Sequence, residues 1–117
     1  AFGLLSAGVL NVNNMRDIVN DAASGKRTLV VRMGSGNARI YHTALVVIGL
    51  LCLVLFTAMS EPSWQRWLFL LVVPGFVVHL RRVWTTREPR ALDPQLKVLA
   101  MGTFITALTF SLGLVLA

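Results

Sequence analysis

Asn13-Asn14-Met15-Arg16-Asp17-Ile18-Val19-Asn20-Asp21 sets two carboxylates four positions apart, with an arginine beside the first. On a helix, residues four apart share a face about one turn from each other, so Asp17 and Asp21 point to the same side. Two hard oxygen donors in that register suit magnesium, which takes one or two carboxylates and fills its shell with water and phosphate oxygens. Asn13 and Asn14 add amide oxygens for a metal or amide N–H groups for a substrate. Gly25-Lys26-Arg27-Thr28 follows, and Lys26, Arg27 and Arg16 are suited to contact a diphosphate. The bare spacing is also met on solvated helix ends, with Asp17 and Asp21 simply paired to Arg16 or Lys26. Acidic groups are disfavoured near a helix C-terminus, so a pair kept there needs cations, whether side chains or metal.

The surroundings narrow the choice. Ala1 to Leu10 is apolar and runs directly into the motif. Charged groups at the end of a membrane helix are expensive beside lipid and are usually functional. Three further apolar stretches follow, Ala38 to Ser60, Trp64 to Trp84 and Gln95 to Ala117, each about the 20 residues that cross a bilayer as a helix. Apolar residues make up 56% of the 117, in continuous runs rather than alternation, which argues against a β-barrel. The fold class read from this is all-α: a multi-spanning transmembrane helix bundle in a single domain. Its helices fall roughly at 1–24, 38–60, 64–84 and 95–117, with a cytoplasmic loop or lid at 25–37.

Local signals refine the elements. Gly25 is placed to end the first helix, and Thr28 to cap a short one that Gly34 ends. Pro74-Gly75 predicts a kink in the third span. Ser63 and Asp93 read as caps, and Thr103, Ala107 and Ser111 as a small-residue stripe for close helix approach. His42 reads as a hydrogen-bonded histidine near the interface, and Cys52 as a small apolar residue with no disulfide partner. Glu88 and Asp93 stand isolated from the acidic pair.

The net charge of +6 is not a nucleic-acid signal. Arg16, Lys26, Arg27, Arg32 and Arg39 form one group and Arg81, Arg82, Arg87, Arg90 and Lys97 a second, while the turn between spans carries only Arg66. That alternation is the positive-inside pattern of a multi-pass membrane protein, and it puts Asp17 and Asp21 at the cytoplasmic face.

The longer run Asn-Asn-x-Arg-Asp-x-x-x-Asp-x-x-x-Gly-Lys-x-Thr-Leu resembles the second aspartate-rich motif of the UbiA superfamily of intramembrane prenyltransferases. Asn13-Asn14, Arg16 and Gly25-Lys26-Arg27-Thr28-Leu29 look most like the 1,4-dihydroxy-2-naphthoate polyprenyltransferase branch, and the likeness continues through Val31-Arg32-Met33-Gly34 and Asn37-Ala38-Arg39-Ile40-Tyr41-His42. The resemblance implies a magnesium-dependent transfer of a polyprenyl group from its diphosphate to the naphthoate, in menaquinone biosynthesis. Asp17 and Asp21 would serve as catalytic metal ligands, with Arg16, Lys26, Arg27, Asn13 and Asn14 on the diphosphate. The loop at 25–37 would cap the site. The setting implied is a bacterial inner membrane, with the site facing the cytoplasm.

Such an enzyme carries another aspartate-rich motif in its N-terminal half, and no second acidic cluster occurs here. The chain also opens in mid-helix, without an initiator Met. It therefore reads as the C-terminal portion of such a bundle, partnered by a missing N-terminal half and inactive alone. Two alternatives stand beside this. One is a related prenyltransferase with another aromatic acceptor, such as 4-hydroxybenzoate. The other is a small non-catalytic membrane transport or complex subunit, in which the carboxylates bind an ion or a partner's arginine.

The charge pattern generates a direct test of topology. Cysteines introduced at Ser35 and Ser63 in a Cys52-free variant should be labelled from opposite sides of the membrane by an impermeant thiol reagent. Labelling of both from one side would refute the arrangement.

Overall fold

The computed structural model describes residues 1–117. It holds six α-helices and no strand: α1 Phe2–Arg16, α2 Ile18–Ala23, α3 Leu29–Met33, α4 Ser35–Met59, α5 Val73–Thr85 and α6 Asp93–Leu116. Two 3-10 segments, Trp64–Val72 and Pro89–Leu92, lead into α5 and α6. Three continuous helical stretches are long and apolar enough to cross a membrane: Ser35–Met59, Trp64–Thr85 and Pro89–Leu116. They form a rod of 51 × 21 × 19 Å with α1 packed along it.

Several elements differ from the sequence expectation, each for a local reason. The first helix does not run unbroken to residue 24: Asp17, at φ −95° and ψ 9°, leaves α geometry and separates α1 from α2. The bonds Asp17 N–H to Asn13 C=O (3.1 Å) and Asp21 N–H to Asp17 C=O (2.8 Å) continue across the break, so the aspartates keep their one-turn register. Positive φ at Gly25 and Gly34 turns the chain after α2 and again between α3 and α4, which starts at Ser35 rather than at 38. Thr28 caps α3 as expected, its Oγ1 accepting from Val31 N–H at 3.2 Å. Pro74 does not kink a helix interior. It sits in the first turn of α5, where its missing N–H is not needed, and the geometry changes from 3-10 to α just before it. Ser63 bonds the side chain of Gln65 instead of capping, and Asp93 makes no cap bond either.

Two apolar clusters hold the rod. Leu5, Val12, Val46, Phe76 and Leu99 fill its middle. Met15, Val30, Ala38, Val83 and Leu92 lie beneath the acidic end, where Val30 anchors α3 to the bundle. At the opposite end Phe110 gathers three rings, with centroids at 5.7 Å to Phe69, 5.8 Å to Phe56 and 6.1 Å to Phe2. Outer faces remain apolar, with Leu51, Leu55, Leu71 and Val77 exposed, as lipid or further helices require.

The packing seam of α6 is not the expected Thr103–Ala107–Ser111 stripe. Its buried residues include Leu99, Thr106 and Gly113, seven apart, and Thr103 spends its hydroxyl on Leu99 C=O of its own helix at 2.8 Å. Gly113 admits the 3-10 segment: a Cβ there would overlap the carbonyl oxygen of Gln65 and come to 3.2 Å from the Cα of Arg66. Backbone cannot yield as a side-chain tip can. Gly113→Ala should cost about 1–3 kcal/mol, the range of overpacked cores. Gly36→Ala meets nothing within 4 Å and should be near neutral. Thermal unfolding of both variants in detergent checks this, and equal midpoints would show that the α6 contact is misread.

Candidate functional site

The polar end of the rod is organised by one guanidinium. Arg16, the last residue of α1, donates from Nε to Asp17 Oδ1 (3.0 Å) and from Nη2 to Asp17 Oδ2 (3.1 Å). Its Nη2 also reaches Asn13 Oδ1 at 2.7 Å, and its Nη1 reaches Asp93 Oδ1 at 2.7 Å. Asn13 precedes Arg16 by three, so the helix itself sets that contact. Asp93 comes from the start of α6, brought over by the Pro89–Leu92 turn. Asp93 is therefore not isolated, as its sequence position had indicated. Arg90 of the same turn stands 3.5 Å from Asp17 Oδ1.

These contacts fix the charge states. The hydrogen bond from Arg16 holds the Asp17 carboxyl below its usual range, against some desolvation, and the charges of Arg16, Arg90 and Lys26 add to it. Arg16 is raised in turn, first by Asp17 and then by Asp93. Asp17 is an anion at neutral pH, with both oxygens already engaged.

Asp21 is in a different state. One turn along, it enters none of the ion pairs. Its backbone C=O accepts from Lys26 N–H at 2.8 Å, which folds the Gly25-Lys26-Arg27 turn back beside α2. Lys26 and Arg27, with Arg32 of α3, line an open crevice floored by Ala22, Gly25 and Val31. None of the three bases has an acidic partner. The structure thus brings Asn13, Arg16 and Asp17 into one bonded cluster and sets Lys26 and Arg27 around a neighbouring basic crevice. Asn14 is half-buried and takes no part in the cluster's bonds.

As a divalent-cation site the donor set fits in kind. Asp17 and Asp21 offer carboxylate oxygens one turn apart, the one or two carboxylates that magnesium commonly takes beside phosphate and water. No group of three ligating side chains exists, so phosphate oxygens and water would have to supply the rest.

Residues that the motif does not mark lie deeper. His42 of α4 and His79 of α5 meet Nε2 to Nε2 at 2.8 Å, and His79 Nδ1 lies 2.9 Å from Gln95 Oε1 of α6. All three are buried. With the glutamine oxygen accepting, His79 donates from Nδ1 and accepts at Nε2 from His42, which leaves His42 Nδ1 as an unpartnered acceptor. Asn11 of α1 donates to Ala38 C=O at 3.3 Å. Arg39 caps the end of α5, from Nε to Val83 C=O (3.2 Å) and from Nη2 to Thr86 C=O (3.0 Å). A polar residue inside an otherwise apolar span was the available signal for His79, and none existed for Gln95.

The fold and the site define a class first: a multi-spanning helical membrane protein that collects its acidic and basic side chains at one end of the bundle. The chain belongs to the UbiA prenyltransferase family, which matches residues 1–108. Similar proteins include 1,4-dihydroxy-2-naphthoate octaprenyltransferases. That of Escherichia coli K12 is 46% identical over the whole chain, and that of Haemophilus influenzae 40% identical over 97% of it. That of Mycobacterium leprae is 35% identical over 98%. The chain spans 38%, 37% and 38% of the length of these relatives. No solved structure matches it significantly.

The buried chain yields an asymmetric expectation. Gln95→Leu strips His79 of its acceptor and should cost about 1–3 kcal/mol, the desolvation of a stranded polar group. His42→Leu exposes one nitrogen of His79 but removes the stranded Nδ1, and should cost less. Unfolding midpoints in detergent decide it, and a larger loss for His42→Leu would contradict the assigned donor directions.

Proposed function

We propose that the protein containing this chain is a magnesium-dependent prenyltransferase of menaquinone biosynthesis. It moves a polyprenyl group from its diphosphate to 1,4-dihydroxy-2-naphthoate. Family membership and the relatives' identities support the reaction class and the acceptor. The observation that carries the site assignment is the juxtaposition of a free carboxylate, Asp21, with Asp17 one turn away and a crevice of unpaired Lys26, Arg27 and Arg32 beside them.

In this reading a carbon–oxygen bond of the prenyl diphosphate breaks, a carbon–carbon bond to the ring forms, and diphosphate and carbon dioxide leave. Asp17 and Asp21 would hold magnesium, which neutralises charge developing on the leaving oxygen. Lys26 and Arg27 receive the departing diphosphate, where cationic donors stabilise the charge as it forms. Asn13 keeps Arg16 aligned through its Oδ1. The apolar helices keep water from the allylic cation and accept the isoprenoid tail. In the same reading the acidic end faces the cytoplasm across a bacterial inner membrane, an orientation that the basic loops support. The chain covers under two-fifths of its relatives' length, and in this reading the second acidic cluster and much of the tail cavity belong to the remainder. This segment alone is inactive in the same reading.

In the complete protein, Asp17→Asn or Asp21→Asn should lower turnover at least ~100-fold, the scale of a lost electrostatic stabiliser, with insertion and folding preserved. Lys26→Ala should act chiefly on the KM for prenyl diphosphate. Initial rates at varied magnesium and prenyl diphosphate provide the measurement. Near-normal magnesium-dependent turnover in either aspartate variant would sink the site.

A further inference from the structure

Arg16 holds the carboxylate that the proposed metal needs. Both Asp17 oxygens accept from it, at 3.0 and 3.1 Å; each keeps a second lone pair, but the guanidinium's charge beside them opposes a cation binding there. The guanidinium has five N–H groups. Four bonds are made: two to Asp17, one to Asn13 and one to Asp93. One Nη1 hydrogen remains, and Asp93 Oδ2 accepts no bond from Arg16. That hydrogen diverges from the one already on Asp93, so a parallel, bidentate pair would instead take an Nη2 hydrogen, which Asn13 and Asp17 now hold.

The Asp93 side chain is 67% exposed against 24% for Asp17, so it is the freer of the two to turn. Its backbone is not free. Two residues on, in the same first turn of α6, Gln95 is tied to His79 at 2.9 Å, and His79 to His42 at 2.8 Å. A mobile carboxylate on a pinned helix start suits a fixed place to which a guanidinium can swing.

We infer that Asp93 is a positioning residue, a second seat for Arg16 that draws the guanidinium off Asp17 when a divalent cation and a diphosphate arrive. The inference rests on the metal reading of Asp17 and Asp21. Without Asp93, Asp17 is the only carboxylate left to Arg16, and the arginine competes with the cation at full strength. With it, the arginine keeps an anionic partner throughout, and Asp17 passes from one cation to another without a stage in which a charge stands unpaired. Arg90, which flanks Asp17 Oδ1 at 3.5 Å, is 61% exposed and makes no comparable set of bonds.

The test is a binding measurement that does not depend on turnover. Manganese is titrated into the full-length protein in detergent micelles with inorganic pyrophosphate present, and free Mn²⁺ is followed by electron paramagnetic resonance. Asp93→Asn keeps the shape and removes the charge. It should weaken Mn²⁺ binding about tenfold, the scale of one partly exposed charge-assisted hydrogen bond. Asp93→Glu should restore most of the affinity. In an Arg16→Gln background, where no arginine competes, Asp93→Asn should change nothing further. Asp17→Asn separates the two readings. If it abolishes Mn²⁺ binding while Asp93→Asn leaves it unchanged or tighter, the second seat is wrong and the metal site stands. An Asp17→Asn protein that binds as the parent does would remove the metal site, and the seat with it. An equal loss from Asp93→Asn with and without Arg16 would show that Asp93 acts by another route and overturn the proposal.

Discussion

Inside a bilayer a polar group has no solvent to fall back on, and each unsatisfied one costs several kcal/mol. Much of the arrangement follows from that constraint. Thr103 and Thr106 return their hydroxyls to carbonyls one turn back on α6, at 2.8 and 2.7 Å, so they weaken no contact with other helices. His42, His79 and Gln95 have no such local option and bond one another across three helices, leaving only His42 Nδ1 among them without a partner. The apolar core holds α4, α5 and α6 together without fixing their rotation about their own axes. Two directed hydrogen bonds do fix it, since turning any one helix would strand a buried nitrogen or oxygen.

The same constraint separates the ends of the rod. One end closes on aromatic edges around Phe110, which need no partners beyond each other. The other end carries most of the charged side chains. There Arg16, Asp17 and Asp93 assemble above the cluster of Met15, Val30, Ala38, Val83 and Leu92. The apolar layer is what makes the charged one precise in place: Val30 pins α3, and with it Arg32, while Leu92 pins the turn that delivers Asp93. Arg39 completes the layer by closing the last carbonyls of α5.

Sequence pattern carried the helices and the motif, because both are short-range. Continuous apolar runs gave the spans, and the four-residue step between Asp17 and Asp21 survives even though α1 ends at Arg16, since the ladder bonds on either side persist. What the pattern missed is long-range or depends on one torsion. Pro74 is a kink only if the helix is already α before it, and nine residues of 3-10 geometry put it at a helix start instead. The small-residue stripe of α6 was chosen by size, whereas the seam was settled by which face meets Trp64–Val72. Asp93 lies 77 positions from Arg16, and nothing in its local sequence separates a cap from an ion-pair partner. Gln95 was invisible for the same reason: a glutamine in the first turn of a helix reads as solvated until a histidine on the neighbouring helix claims it.

The grip of Arg16 on Asp17 also bears on how two carboxylates are kept together on one helix end. Two carboxylates one turn apart repel each other and oppose the dipole of the helix end on which they sit. That repulsion has to be met by the protein's own cations. Arg16 meets it at Asp17 through two hydrogen bonds, while Asp21, half-buried, enters no ion pair. A lysine in place of Arg16 could neutralise the charge but could not hold both oxygens and reach a third acceptor on another helix, because only the planar fork presents its donors in fixed directions. The arginine therefore does two things with one charge. It neutralises the first of the two carboxylates, and by touching Asp93 it couples that end to the last helix of the bundle.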